Sequence, residues 1–225
     1  GYMRMYHHKY LELLSEACRE YNIHLIADEI AVGFGRTGTM FGFQQAKITP
    51  DIICLSKGIT GGYMTLSTIL TTDDIYDAFY DEYEKLNAFL HSHSYTANPI
   101  ACSAANATLD IFKDKDVIKK NKILSAHMRK CFESLKDHPH VSDVRQKGMV
   151  LAIELIKDKK RKVSYDWKER RGIRAYLHGL KNNVLMRPLG NVLYFMPPYV
   201  ITKKEISFVS EIMKEGVDEA TKKNS

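Results

Sequence analysis

Asp28 and Lys57 are the two residues whose types and placement suggest chemistry. Each follows a short apolar run, Ile23 to Ala27 before Asp28-Glu29 and Asp51 to Leu55 before Ser56-Lys57. Each is therefore expected at the C-terminal end of a buried strand, where α/β proteins build their sites. A lysine amine condenses with an aldehyde to a Schiff base. A carboxylate beside a pyridine nitrogen keeps it protonated, and the charged ring then acts as an electron sink for a carbanion. An acid and a lysine at neighbouring strand ends thus suit pyridoxal phosphate (PLP). The lysine, once freed, is able to shuttle a proton between substrate Cα and the cofactor. In Lys57-Gly58-Ile59-Thr60-Gly61-Gly62, the glycines are expected to leave room for ring and substrate.

The elements that must hold these residues follow from periodicity. Tyr10 to Tyr21 places Leu11, Leu14, Ala17 and Cys18 at helical spacing. Leu66 to Leu70, rich in β-branched residues, reads as a third strand, and buried strands separated by loops and helices predict an α/β fold with a largely parallel sheet. Asn98 is a suitable N-cap and Pro99 a suitable first residue for an alanine-rich helix over Ile100 to Phe112. Beyond the charged stretch Lys113 to Asp116, the pattern predicts helices over Val117 to Leu135 and Lys168 to Leu180. It predicts strands over Gly148 to Leu155 and Val192 to Met196. A last helix starts at Thr202, with Glu205 completing a capping box and Ile206, Val209, Met213 and Val217 as its apolar stripe.

The composition narrows the class. With 225 residues, 44% of them hydrophobic, the chain is long enough for one or two packed domains. The net charge of +6 comes from scattered lysines, in runs such as Lys157 to Lys162 and Lys222-Lys223, which read as solvated faces. Neither a recognition-helix pattern nor interleaved basic and aromatic residues point to nucleic acid. No apolar run is long enough for a membrane span. Cys18, Cys54, Cys102 and Cys131 form no CxxC pair and read as free thiols of a reducing, cytoplasmic compartment. His7-His8 and His91-x-His93 lack the acid or cysteine partners of a metal site, so no metal is expected.

Two decoys are set aside. Gly33-Phe34-Gly35-Arg36-Thr37-Gly38 fits G-x-G-x-x-G, but Asp28-Glu29-Ile30 separates it from the strand, and Gly38 leads into a poor helix start. Asp51 lies at the distance of a ribose-binding acid yet begins a strand instead of ending one. The acidic strand Leu25 to Glu29 would suit a P-loop ATPase, but the chain contains no G-x-x-x-x-G-K-[ST].

An Asp and a Lys alone are common at strand ends; the surrounding sequence makes this pair specific. Ile26-Ala27-Asp28-Glu29-Ile30-Ala31-Val32-Gly33-Phe34-Gly35-Arg36-Thr37-Gly38, with Pro50-Asp51-Ile52 leading to Leu55-Ser56-Lys57-Gly58, closely resembles the signature of class III aminotransferases. The separation of acid and lysine (57 − 28 = 29) is also that family's. Gly1 to His7, Thr60 to Ser67 and Met196-Pro197-Pro198-Tyr199 resemble the diaminopelargonate aminotransferases of biotin synthesis. Met64-Thr65 stands where other class III branches more often read Gly-Gly-x-x-Pro.

The resemblance covers essentially the whole chain and implies a fold, a reaction and a set of roles. The fold is the PLP-dependent transferase fold type I. Residues 1–115 would be the C-terminal part of the PLP-binding large domain, and 116–225 an α+β small domain. The reaction is amino transfer from S-adenosylmethionine to 8-amino-7-oxononanoate. Asp28 would hold the pyridine nitrogen and Lys57 the cofactor aldehyde. Ser94 stands where the family has a phosphate-binding Thr, His93 contributes through its backbone, and Ser92 falls near the substrate. In this fold that segment reaches the neighbouring subunit's cofactor, so a homodimer is implied. Arg187 matches the substrate-carboxylate arginine, whose planar guanidinium suits bidentate binding, and Tyr194 lines the same pocket. The resemblance begins in mid-family, so a longer N-terminal portion is expected. The chain alone is expected to bind PLP weakly and not to turn over. Two other readings stay open: a different class III ω-amino acid aminotransferase, and a folded but inert remnant.

Overall fold

The computed structural model describes residues 2–222; Gly1 of the opening motif and Lys223 of the Lys222-Lys223 pair lie outside the described residues. The chain forms two compact units. Tyr6–Ile118 makes one, and the residues through Met5 together with those from Lys119 onward make the other.

The first unit begins with α1 (His8–Glu20) and continues through β1 (Ile26–Asp28), β2 (Ile52–Leu55) and β3 (Thr68–Thr71), which form one sheet in that order. Asp51 explains the start of this sheet. Its Oδ2 accepts the Leu25 N–H at 2.6 Å, so the decoy acid is consumed in pinning β1 beside β2. β1 and β2 run parallel, but β3 runs antiparallel to β2, so the sheet is mixed and not largely parallel. The reason lies in the connection. Twelve residues, 56–67, join β2 to β3 through a tight 3-10 turn and include no crossover helix, which parallel pairing demands. β3 also starts later than the pattern predicts, and the Leu66 carbonyl accepts the Ser56 hydroxyl at 2.7 Å.

After the short α2 (Asp73–Asp77) comes α3 (Pro99–Asp114), capped as expected: Asn98 Oδ1 accepts the N–H groups of Ile100 and Ala101 at 3.0 and 3.1 Å. Alanines let α3 approach the sheet closely. Ala105 packs in one small core with Phe34, Leu55 and Ile59. That core lies directly beneath the Lys57 turn.

The second unit is built on a four-stranded antiparallel sheet. Its elements are α4 (Val117–Phe132, whose first residues precede the unit's start), β4 (Val141–Lys147), β5 (Val150–Leu155), α5 (Arg171–Lys181), β6 (Arg187–Leu189), β7 (Val192–Phe195) and α6 (Lys203–Thr221). The strand order is β4-β5-β7-β6. Leu151, Ile153, Leu155 and Leu193 face a core completed by Met128 and Phe132 of α4 and by Ile206, Met213 and Val217 of α6. Both halves of the capping box form: the Glu205 N–H donates to Thr202 Oγ1 at 3.2 Å, and the Thr202 N–H donates to Glu205 Oε2 at 2.7 Å. Among the described residues, no helix is long and apolar enough to cross a membrane.

Candidate functional site

Asp28 and Lys57 end up at the same edge of the first sheet. Asp28 is paired with Cys54 across β1 and β2, and Lys57 lies three residues further along (57 − 54 = 3). Both side chains are exposed. Asp28 Oδ1 accepts the Ile30 N–H at 3.0 Å, which fixes the carboxylate's orientation and leaves its second oxygen available. Among the described residues, no acid pairs with the Lys57 amine.

The lysine turn is held from three sides. Lys57 opens a 3-10 turn through Thr60 and has φ +47, a left-handed backbone that costs a non-glycine residue about 1–2 kcal/mol. Such a conformation persists only where the surroundings impose it, and it concentrates at functional sites. Here Ser56 Oγ binds Leu66 O at 2.7 Å before the lysine, and Thr60 Oγ1, at 1% exposure, binds Met64 O at 2.6 Å after it. From below, Phe34 presses on Gly58, where an added Cβ would lie 2.8 Å from the ring's Cδ2. The glycines therefore divide their work. Gly58 gives its room to Phe34, whereas Gly62, at φ +89, has open space around it.

Glu29 belongs to this arrangement and was not anticipated. Successive strand residues face opposite ways, so when Asp28 faces out, Glu29 turns inward. It is buried, and its Oε1 accepts the Phe43 N–H at 3.0 Å, tying the loop that carries Phe34 to the end of β1. The adjacent acids in the sequence were the available signal.

Ser92, His93 and Ser94 occupy an exposed, irregular stretch before α3. The His93 Nδ1 accepts the Tyr95 N–H at 3.1 Å, and its backbone N–H donates to Thr96 Oγ1 at 3.0 Å, so its ring serves the local turn. Among the described residues, none of the three is hydrogen-bonded to Asp28 or Lys57.

Arg187 and Tyr194, in the second unit, are brought together as direct cross-strand partners of β6 and β7. The pairing continues across the sheet: Tyr194 opposes Ala152 of β5, and Ala152 opposes Arg145 of β4. Opposed residues share a sheet face, so Arg145, Ala152, Tyr194 and Arg187 form one row. Arg187 is exposed, without an ion-pair partner among the described residues. Its hairpin is gripped by α5, where Gly172 approaches so closely that a Cβ there would lie 2.4 Å from Gly190 O and 2.6 Å from Pro188 Cβ.

An acid and an unpaired amine at adjacent strand ends fit a cofactor with a pyridine nitrogen and an aldehyde. An uncommitted guanidinium beside a tyrosine fits a carboxylate. Comparison with known proteins identifies the family. The family described as aminotransferase class-III matches residues 1–217. The adenosylmethionine-8-amino-7-oxononanoate aminotransferase of Helicobacter pylori is 46% identical over 226 residues, covering 99% of this chain and 50% of that protein. The crystal structure of the enzyme of the same name from Methanocaldococcus jannaschii superposes with a TM-score of 0.89 at 41% identity, over 93% of this chain and 49% of that one. An omega transaminase from Pseudomonas jessenii, solved in complex with PMP, also gives 0.89 at 29% identity, over 94% and 47%. The fold is thus the expected fold type I of PLP-dependent transferases. The chain spans about half the length of the curated relatives it matches.

Proposed function

The chain belongs to the class-III aminotransferases, and we propose on that premise that the protein moves an amino group from S-adenosylmethionine to 8-amino-7-oxononanoate, giving 7,8-diaminononanoate for biotin synthesis. The names of the relatives support the substrates. The observation that carries the chemistry is the placement of Asp28 and Lys57 at the C-terminal ends of neighbouring parallel strands, with the lysine backbone in a left-handed turn.

PLP, when bound, supplies the electron sink that makes a substrate Cα–H acidic. The Asp28 carboxylate holds the pyridine nitrogen's proton. The Lys57 amine anchors the cofactor, then accepts and returns the substrate proton as general base and acid. Ser94 Oγ and the His93 backbone bind the phosphate across a homodimer interface, and Ser92 borders the substrate. Arg187 orients the substrate carboxylate, with Tyr194 as the wall beside it. Residues 1–115 form part of the PLP-binding large domain and 116–225 the small domain, in a cytoplasmic protein acting on small molecules.

The test adds PLP to the purified chain, reduces with borohydride and locates the label by peptide mass spectrometry. Label concentrated on Lys57, and lost in Lys57→Ala, supports the assignment. Label spread evenly over surface lysines would remove it. For the full-length enzyme, donation by another amine but not by S-adenosylmethionine would overturn the substrate assignment while leaving the reaction class intact.

A further inference from the structure

The row Arg145–Ala152–Tyr194–Arg187 has an arginine at each end, and the two are in opposite states. Arg145 is fully engaged. Its Nη1 donates to Glu154 Oε2 at 2.6 Å and to Asp143 Oδ2 at 3.1 Å. Its Nε donates to Met3 O and its Nη2 to Tyr2 O, each at 2.7 Å. Two carboxylates balance its charge, and with two backbone carbonyls they take four of its five N–H donors, so it is a poor receptor for a further anion. Arg187, three strands away on the same face, has no ion-pair partner among the described residues.

The clamp has a second end. Tyr2 and Met3 both hold left-handed backbones, φ +56 and +54, which neither residue adopts without constraint. Arg145 supplies the constraint by binding both carbonyls at once. The segment so held carries the Tyr2 ring to the β6–β7 turn: a Cβ built on Gly190 would lie 3.6 Å from Tyr2 Cε1, ordinary packing distance. Gly190 closes the two-residue turn of the hairpin that bears Arg187. The hairpin is therefore bounded by Gly172 of α5 and by the Tyr2 ring.

We propose that Arg145 is a positioning residue for Arg187: by clamping Tyr2–Met3 across the shared sheet face, it seats the Tyr2 ring against the β6–β7 turn and so fixes where the Arg187 guanidinium meets a substrate carboxylate. The inference rests on the reading of Arg187 as the carboxylate anchor. The side chain at position 2 thereby helps set substrate affinity without touching the substrate.

The experiment follows the Arg187 Nε–H resonance of the purified chain by NMR during titration with nonanoate at mildly acidic pH, using nonanamide as the uncharged-head control. Three variants are compared. Tyr2→Gly removes the ring but favours the left-handed backbone, so it is expected to fold with an unchanged melting temperature. Tyr2→Phe keeps the ring. Arg145→Lys keeps the ion pair with Glu154 but cannot hold two carbonyls. Nonanoate is expected to move the Arg187 resonance. Tyr2→Gly and Arg145→Lys should weaken that response about tenfold, and Tyr2→Phe should preserve it. Unchanged nonanoate affinity in Tyr2→Gly would overturn the positioning role and leave Arg187 as the anchor. A parent resonance that ignores nonanoate would instead overturn the anchor reading, and this inference with it.

Discussion

Arg187 and Tyr194 stand directly opposite each other across the β6–β7 ladder, so the phenol and the guanidinium leave the sheet on one side. A cationic fork with an aromatic wall recognises a carboxylate through two charge-assisted hydrogen bonds and shields it from water on one flank.

Lysine at position 187 keeps the charge and loses the fork. On the proposed role of Arg187 as carboxylate anchor, Arg187→Lys is expected to raise the KM of the aminotransferase for its carboxylate substrate by about 10- to 100-fold, the equivalent of one charge-assisted contact, with a smaller change in kcat. Steady-state kinetics on the variant check it; an unchanged KM would mean the carboxylate binds elsewhere.

Gly58→Ala should destabilise the chain by about 1–3 kcal/mol, because the new methyl group would sit 2.8 Å from the Phe34 ring. Chemical denaturation measures the loss. Combining it with Phe34→Leu should recover part of it, giving a coupling energy in a double-mutant cycle, as expected of residues in contact.

The second unit carries an acid-sensitive fastening. Arg171, 5% exposed, donates from Nε and Nη2 to Glu169 Oε2 at 2.9 and 2.6 Å, and from Nη1 to Ala220 O at 3.1 Å at the end of α6. The hydrogen bond from Arg171 holds the Glu169 carboxyl below the usual carboxylate range. A folded-state value lowered in this way stabilises the protein above the unfolded-state value of about 4.3, and the contribution disappears as the pH falls through the folded value. Glu169→Gln should therefore lower the urea midpoint at pH 7, and the gap from the parent should close on acidification toward pH 3. A gap independent of pH would show that the pair does not titrate as described.

Thr202→Ala removes one half of the capping box: the Glu205 N–H loses its acceptor, while the backbone N–H of residue 202 still donates to the Glu205 carboxylate. The expected cost is about 1 kcal/mol, read as a lower thermal midpoint with unchanged helix content at room temperature.

What was legible in the sequence was what depends on neighbours along the chain. Asn98-Pro99 and Thr202-x-x-Glu205 announced their caps because the capping partners are two or three residues away. Asp28 and Lys57 were legible because the residues around each are specific. β4 and β6 escaped notice. β4 alternates weakly, with Ser142 and Asp143 exposed at a register shift and Arg145 engaged by a distant segment, and β6 is three residues with a proline at its centre. Pro188 is tolerated because β6 is an edge strand, which needs no donor on its outer side. The direction of β3 and the engagement of Arg145 likewise depend on contacts far apart in sequence, which spacing does not encode.

The turn Gly190-Asn191 joins Leu189 directly to its partner Val192, with Gly190 at φ +60. A two-residue loop admits one alignment of its strands, and side chains alternate faces with every residue. One residue inserted there would turn Arg187 toward the oily layer beneath the sheet and bring Met186 or Pro188 up in its place. The parity of a loop that touches no substrate thus decides whether the protein presents a cation or a hydrocarbon to whatever arrives on that face.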